Sequence, residues 1–330
     1  MDYLTPDPGT VVVLQTHLGW LAPLMNAVSF TGTAVFFFAV LPAIWWCVSP
    51  RFGLRLGVIV SLSGCINAIL KVFFHTPRPY WVSTEVQAFS THQTFSLPSG
   101  HAQNAVCFFG AAAVWIHKRW FWAVATAFII LTGLSRLILG VHFPVDVLAG
   151  WTIGIVVLLL FTAADRRLSP GILALSPAVQ AAGVTTASLL LAAIGIALIV
   201  NGGDIPLSWT ETAVAASGLP ATRAIDPYDP STLLSSAGTL LGIGLGAVWT
   251  GGRFSAEGSV SAKLGRYAIG MAIAALIYAA TGLVPDGGLA AAGWSIEYLR
   301  AAVLGLWVSG GAPALFKYLG IAGGNTRPPA

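Results

Sequence analysis

Apolar runs close to the bilayer-crossing length of about 20 residues recur along the whole chain, and no other feature restricts its fold so strongly. They fall at roughly 30–48, 54–74, 100–117, 121–139, 145–164, 178–200, 232–250, 266–283 and 297–316. In hydrocarbon every backbone amide and carbonyl must be satisfied within the protein, which leaves helices and closed barrels. The runs lack the in-out alternation of barrel strands. The reading is therefore all-α: a polytopic helical membrane protein with about nine transmembrane helices. Composition agrees, because 56% hydrophobic and 8% charged residues cannot clothe a water-soluble globule. Residues 9–28 are apolar but broken by Gln15, His17, Pro23 and Asn26, so they read as an interfacial helix or a poor first span.

Three segments follow from this pattern: an N-terminal stretch 1–29, a five-span core 30–168 and a four-span C-terminal region 169–330. Residues 1–8 carry Asp2 and Asp7 and no basic patch, unlike the start of a cleaved signal peptide, so targeting is expected from the spans. The stretch 201–231, with Asp204, Glu211, Asp226 and Asp229, reads as a solvated connector. Cys47, Cys65 and Cys107 all lie in apolar runs, an odd count that argues against a disulfide or metal framework. No tandem repeat is visible, and the many Ala and Gly after residue 180 suit close helix packing.

The net charge of +4 is explained by topology rather than by a nucleic-acid partner, for which there is no signal. Cytoplasmic loops are enriched in Lys and Arg. One side of the span model collects Arg51, Arg55, Lys118, Arg119, Arg166, Arg167, Arg253, Lys263, Arg266, Lys317 and Arg327. The other has Lys71, Arg78, Arg136, Arg223 and Arg300, while only Asp165 and Glu257 among the acids fall on the basic side. This bias predicts a cytoplasmic C-terminus and puts the residues discussed next on the extracytoplasmic face.

Ionisable groups at membrane depth cost roughly 2.5–3.5 kcal/mol each on insertion scales, so a group of them suggests a site. Lys71 nears the end of its span and Arg78 follows where Pro79 disfavours further helix. Together they can meet one polyoxyanion, Arg with a planar fork and Lys as a point charge. Pro98-Ser99-Gly100-His101 opens the next span. There Ser99 is placed to cap the helix, Gly100 lets backbone approach a ligand, and the free amides of the helix start favour an anion. Ser135-Arg136 closes the fourth span, and His142 and Asp146 follow at a spacing that puts imidazole and carboxylate on one face if that turn is helical. A carboxylate on one ring nitrogen leaves the other free to attack. Taken singly these residues have bland explanations, a snorkelling Lys or an interfacial His; together they read as an anion-binding catalytic centre.

These residues at these spacings resemble the complete three-part signature of the type-2 phosphatidic acid phosphatase superfamily, over residues 71–146. The resemblance implies a metal-independent phosphatase without a cofactor, working through a phosphohistidine. In it His142 would be the nucleophile, Asp146 its orienter, and His101 the acid and then the base. Lys71, Arg78, Ser99, Gly100 and Arg136 would bind the phosphoryl oxygens. The substrate implied is a phosphorylated lipid such as phosphatidic acid or a polyprenyl diphosphate. Nine spans, Arg78-Pro79-Tyr80-Trp81 and the glycine-rich run 239–246 are also similar to the glucose-6-phosphatase branch, whose substrate is a small sugar phosphate. Asp146 departs from that branch, where the position need not be acidic. The vanadium haloperoxidases share the signature but are soluble, and a transporter would show more ionisable groups within the last four spans. His17, His75, His92 and His117 match no position of the signature, and the oligomeric state is left open.

Overall fold

The computed structural model describes residues 6–283 and 290–323; Asp2 and Arg327, used above for the chain start and the charge bias, lie outside the described residues. The chain begins with α1 (Gly9–Leu18) and α2 (Ala22–Ser29), then α3 (Ala34–Cys47), α4 (Pro50–Phe74) and the single turn α5 (Pro79–Val82). α6 (Gly100–Ala105) runs through a π-helical turn, Val106–Gly110, into α7 (Ala111–Ile116). Next come α8 (Arg119–Ile138), α9 (Pro144–Ala174), α10 (Pro177–Val200), α11 (Leu207–Ser217) and α12 (Ala221–Ala224). The chain closes with α13 (Ser231–Thr250), α14 (Val260–Gly282), α15 (Ala290–Leu306) and, past a second π turn, α16 (Ala312–Tyr318).

Among the described residues eight helices are long and apolar enough to cross a membrane, and Ala34–Cys47 is a shorter apolar one. The protein is a polytopic all-α membrane protein. The eight include Gly9–Gly32, the stretch left open above between a span and an interfacial helix.

The described residues of Met1–Phe36, Ile66–Thr162 and Ile194–Pro230 form one compact unit; those of Phe37–Cys65, Ala163–Ala193 and Ser231–Ala330 form another. The first is built around an aromatic core in which Tyr80, Trp81 and Phe95 pack with Val11, Met25, Leu139 and Val141. The connector 201–231 departs from expectation. It folds into α11 and α12, with Trp209, Ala213 and Ala224 buried in that same core. Asp204, Glu211 and Asp226 are exposed and Asp229 half-buried, and the Asp226 amide donates to the Gln93 carbonyl at 3.0 Å.

In the second unit small residues set helix spacing. A Cβ at Gly238 would come within 2.2 Å of the Tyr298 carbonyl oxygen, and one at Gly242 within 2.0 Å of that of Ala302, so α13 and α15 approach backbone to backbone. The glycine-rich run is thus a packing surface.

Candidate active site

All eight residues singled out from the sequence lie in the first unit. Lys71 sits in the last turn of α4, where its ammonium donates to the carbonyls of Phe95 and, at 3.1 Å, Ser96. Arg78 precedes α5 in extended conformation, as the residue before a proline favours. Its Nε donates to the Thr94 carbonyl at 2.6 Å and its Nη2 to that of Phe95 at 3.1 Å. The two cations therefore converge on one short stretch, Thr94–Ser96, and hold it against the helix ends.

Arg78 Nη1 donates to the Val141 carbonyl at 2.9 Å and lies 3.3 Å from His142 Nε2. Since a guanidinium only donates, this geometry makes Nε2 the acceptor nitrogen and places the ring proton on Nδ1. Nδ1 is 3.3 Å from Asp146 Oδ2 and 3.1 Å from Ser96 Oγ. α9 starts at Pro144, so Asp146 lies in its first turn, where Oδ2 also accepts from the Phe143 amide at 2.8 Å and the Ser96 hydroxyl at 2.5 Å. Imidazole and carboxylate thus meet, although His142 precedes the helix and does not share a helical turn with Asp146. Ser96, with no unusual sequence context, is a third member that the sequence reading missed. Burial first, and then the Arg78 guanidinium, hold His142 well below the ordinary imidazole range.

The Ser99 amide donates to the Asp146 carbonyl at 2.9 Å, joining the start of α6 to the start of α9. Here one expectation fails: Ser99 is the N-cap residue, but its side chain makes no capping bond, and its hydroxyl is buried without a partner. Gly100 gains a second reason for being glycine, because a Cβ there would come within 2.8 Å of Asn67 Oδ1. The Asn67 amide in turn donates to the Pro98 carbonyl at 3.2 Å and to Gln103 Oε1 at 2.9 Å.

Arg136, near the end of α8, makes a second cluster. One Nη donates to Ser29 Oγ and the other to His92 Nε2 at 2.5 Å, while Nε is buried without a partner. His101, one residue into α6, packs edge-on to His92 with ring centroids 5.6 Å apart, and Gly32 lies so close that a Cβ would come within 2.4 Å of the His101 ring. Ser29 and Gly32 escaped the sequence reading, and His92 was noted there only as matching no position of the signature. A serine, a glycine and a loop histidine carry no signal until the fold sets them beside Arg136 and His101.

The two clusters bring together three buried cations, one buried carboxylate and three imidazoles, of which His142 is buried and His92 and His101 half-buried, with two donors, Ser99 Oγ and Arg136 Nε, left over. Leaving a buried donor unmade costs about 1–3 kcal/mol, so a donor set of this kind suits a multiply charged oxyanion. Among the described residues no three His, Cys, Asp or Glu side chains gather as a metal ion would require.

Residues 52–169 match the family described as PAP2 superfamily, and residues 234–324 match its phosphatase transmembrane extension. Phosphatidylglycerophosphatase B of Bacillus subtilis (strain 168) is 28% identical over 162 residues, covering 46% of this chain and 73% of that protein. Glucose-6-phosphatase 3 of Bos taurus is 28% identical over 267 residues, covering 70% of this chain and 72% of that protein. A crystal structure of a transmembrane PAP2-type phosphatidylglycerolphosphate phosphatase from Bacillus subtilis aligns with a TM-score of 0.42 and 24% identity, over 49% of this chain and 83% of that one. This chain carries a PAP2 superfamily domain followed by the superfamily's transmembrane extension, and belongs with the PAP2-type membrane phosphatases.

Proposed function

We propose that the protein hydrolyses a phosphorylated lipid, of the phosphatidic acid or polyprenyl diphosphate type, on the extracytoplasmic face through a phosphohistidine. The observation that carries this reading is the His142 ring, with Nδ1 against Asp146 and Ser96 and Nε2 beside the Arg78 guanidinium. The Nε2 lone pair attacks phosphorus, and the bond to the leaving oxygen breaks as that oxygen takes a proton from His101. Asp146 stabilises the charge that appears on the His142 ring. Water then attacks phosphorus, His101 takes its proton, the N–P bond breaks and inorganic phosphate leaves.

Lys71, Arg78, Arg136, the Ser99 hydroxyl and the amides at Gly100 hold the phosphoryl oxygens, matching charge as it develops. Phosphate dianion bound among three cations also favours the protonated His101 that the first step needs. A lipid substrate is supported by the surroundings: Phe73 and Phe74 beside Lys71, and Val145 and Leu148 beside Asp146, are exposed. The charge bias of the loops supports the extracytoplasmic side and a cytoplasmic C-terminus.

A second reading, a small sugar phosphate, is favoured by one observation: the similarity to a glucose-6-phosphatase spans 70% of the chain, well beyond the residues of the site. Phosphate release in lipid nanodiscs with EDTA separates the two. Turnover of phosphatidic acid or a polyprenyl diphosphate but not glucose 6-phosphate supports the first, and the reverse supports the second. In either case His142→Ala, folded, should lose activity by about 10⁴-fold or more; full activity in that variant would end the phosphohistidine mechanism.

A further inference from the structure

We propose that His92, which lies outside the superfamily signature, is a positioning residue for Arg136 and through it for the phosphoryl group. The proposal rests on the phosphatase reading above. Three observations carry it.

First, His92 is a constructed position. One phenol oxygen, that of Tyr80, both donates to the His92 carbonyl at 2.7 Å and accepts from the His92 amide at 2.9 Å. Tyr80 is itself buried in the aromatic core, so the backbone of His92 is fixed from α5 even though it sits in a long loop. Second, the ring accepts from Arg136 Nη2 at 2.5 Å, while Ser29 accepts from Nη1. Two acceptors on the two Nη atoms lock the plane of the guanidinium and leave Nε, a buried donor without a partner, for a phosphoryl oxygen. Third, the ring also packs on His101, so the same side chain touches both the phosphoryl-binding arginine and the imidazole assigned to the leaving oxygen.

Only the neutral ring can do this, since an imidazolium has no acceptor nitrogen. The charged and titratable groups around His92 are Arg136, Arg78, His101, Lys71 and the Tyr80 phenol, with no carboxylate among them, which favours the neutral form. Protonation would break the bond to Arg136 and set two cations side by side.

The test is inorganic phosphate binding to purified protein in nanodiscs, by titration calorimetry between pH 5.5 and 7.5, with KM and kcat measured alongside. His92→Ala should weaken phosphate binding and raise KM by about tenfold, with kcat reduced by less than about threefold. His92→Gln, whose amide oxygen accepts but does not titrate, should recover most of that loss. The ratio of wild-type to His92→Gln affinity should stay constant across this range, a comparison in which the titration of phosphate itself cancels, because the fold keeps the His92 ring neutral there. Wild-type phosphate affinity and KM in His92→Ala would overturn the proposal, as would a His92→Gln variant as impaired as His92→Ala, because the imidazole would then act as more than an acceptor. If His92→Ala does not fold, His92→Phe, a ring of similar size without an acceptor, takes its place: wild-type phosphate affinity and KM in that variant overturn the proposal. Failure of wild type to bind phosphate would overturn the phosphatase reading as well, and is thereby distinguishable from failure of the role given to His92.

Discussion

Arg136 in the first unit and Arg266 in the second are buried to the same degree, 1% and 0% exposed, yet their hydrogen bonds differ in kind. Arg266 spends all three nitrogens on backbone carbonyls: Nε on Ala262, Nη1 on Trp46 at 2.8 Å and Ser255, and Nη2 on Glu257 at 2.5 Å. It ties the Trp46 carbonyl near the end of α3 to the turn before α14, a structural cap that satisfies both parties. Arg136 gives its donors to two side chains and keeps Nε unpaired. A buried arginine is therefore no sign of a site by itself. Spare donor capacity separates these two, although it does not define the site, since Arg78 also has every nitrogen engaged by its own fold.

The contrast can be broken most directly by substitution. Arg136→Ala should lower kcat/KM by about 10³-fold, the scale of losing a preorganised charge at developing negative charge, with the unfolding temperature little changed. Arg266→Ala should do the opposite: turnover per folded molecule stays at the wild-type level while stability falls by about 3 kcal/mol, since several carbonyls lose their donor together. Activity assays paired with thermal unfolding check both, and a large loss of specific activity in Arg266→Ala would dissolve the distinction.

A smaller effect separates orientation from chemistry within the first unit. Ser96→Ala removes one of the two groups on His142 Nδ1 and one of the three donors on Asp146 Oδ2. We expect about a tenfold loss in kcat with KM unchanged, and no measurable loss would mean that Asp146 alone aligns the ring.

The smallest expected effect is on stability against pH. Burial, and then Arg136, hold His92 well below the ordinary imidazole range, as burial and Arg78 do for His142. The unfolded chain takes up these protons near about pH 6.5, the folded chain only at lower pH. Stability is thus fully present above the unfolded value and declines as pH falls below it toward the folded values. Thermal unfolding of phosphate-free protein should show this between pH 7.5 and 5.5, with a shallower slope in His92→Gln and an unaltered slope in Arg266→Ala. A flat profile in wild type would show that neither ring is held neutral by the fold.

Much of the site was legible because its members are costly where they stand. Lys71, Arg78, Arg136 and Asp146 interrupt apolar sequence, and a charge there demands a reason. Ser29, Ser96 and His92 have no such mark: a serine in a helix or a histidine in a loop is cheap, and their meaning lies in partners 107, 50 and 44 residues away. The connector misled for a related reason. Its acids are conspicuous in sequence, whereas Trp209, Ala213 and Ala224, which decide its packing, look like ordinary loop and helix residues. Arg266 misled in the other direction, since a basic residue near a span end is explained by topology until its four carbonyl partners are seen.

The amino-acid sequence by itself determined the all-α membrane architecture and the chemistry on offer, because bilayer-length apolar runs leave the backbone one way to satisfy itself and charges among them must be answered locally. Which ring nitrogen of His142 faces the site, which arginine keeps a free donor, and that Tyr80 fixes a third imidazole beside Arg136 were decided only by the tertiary structure. Hydrogen bonds reach about 3 Å, and whether two groups come that close is a property of how the helices pack, which spacing along the chain does not contain.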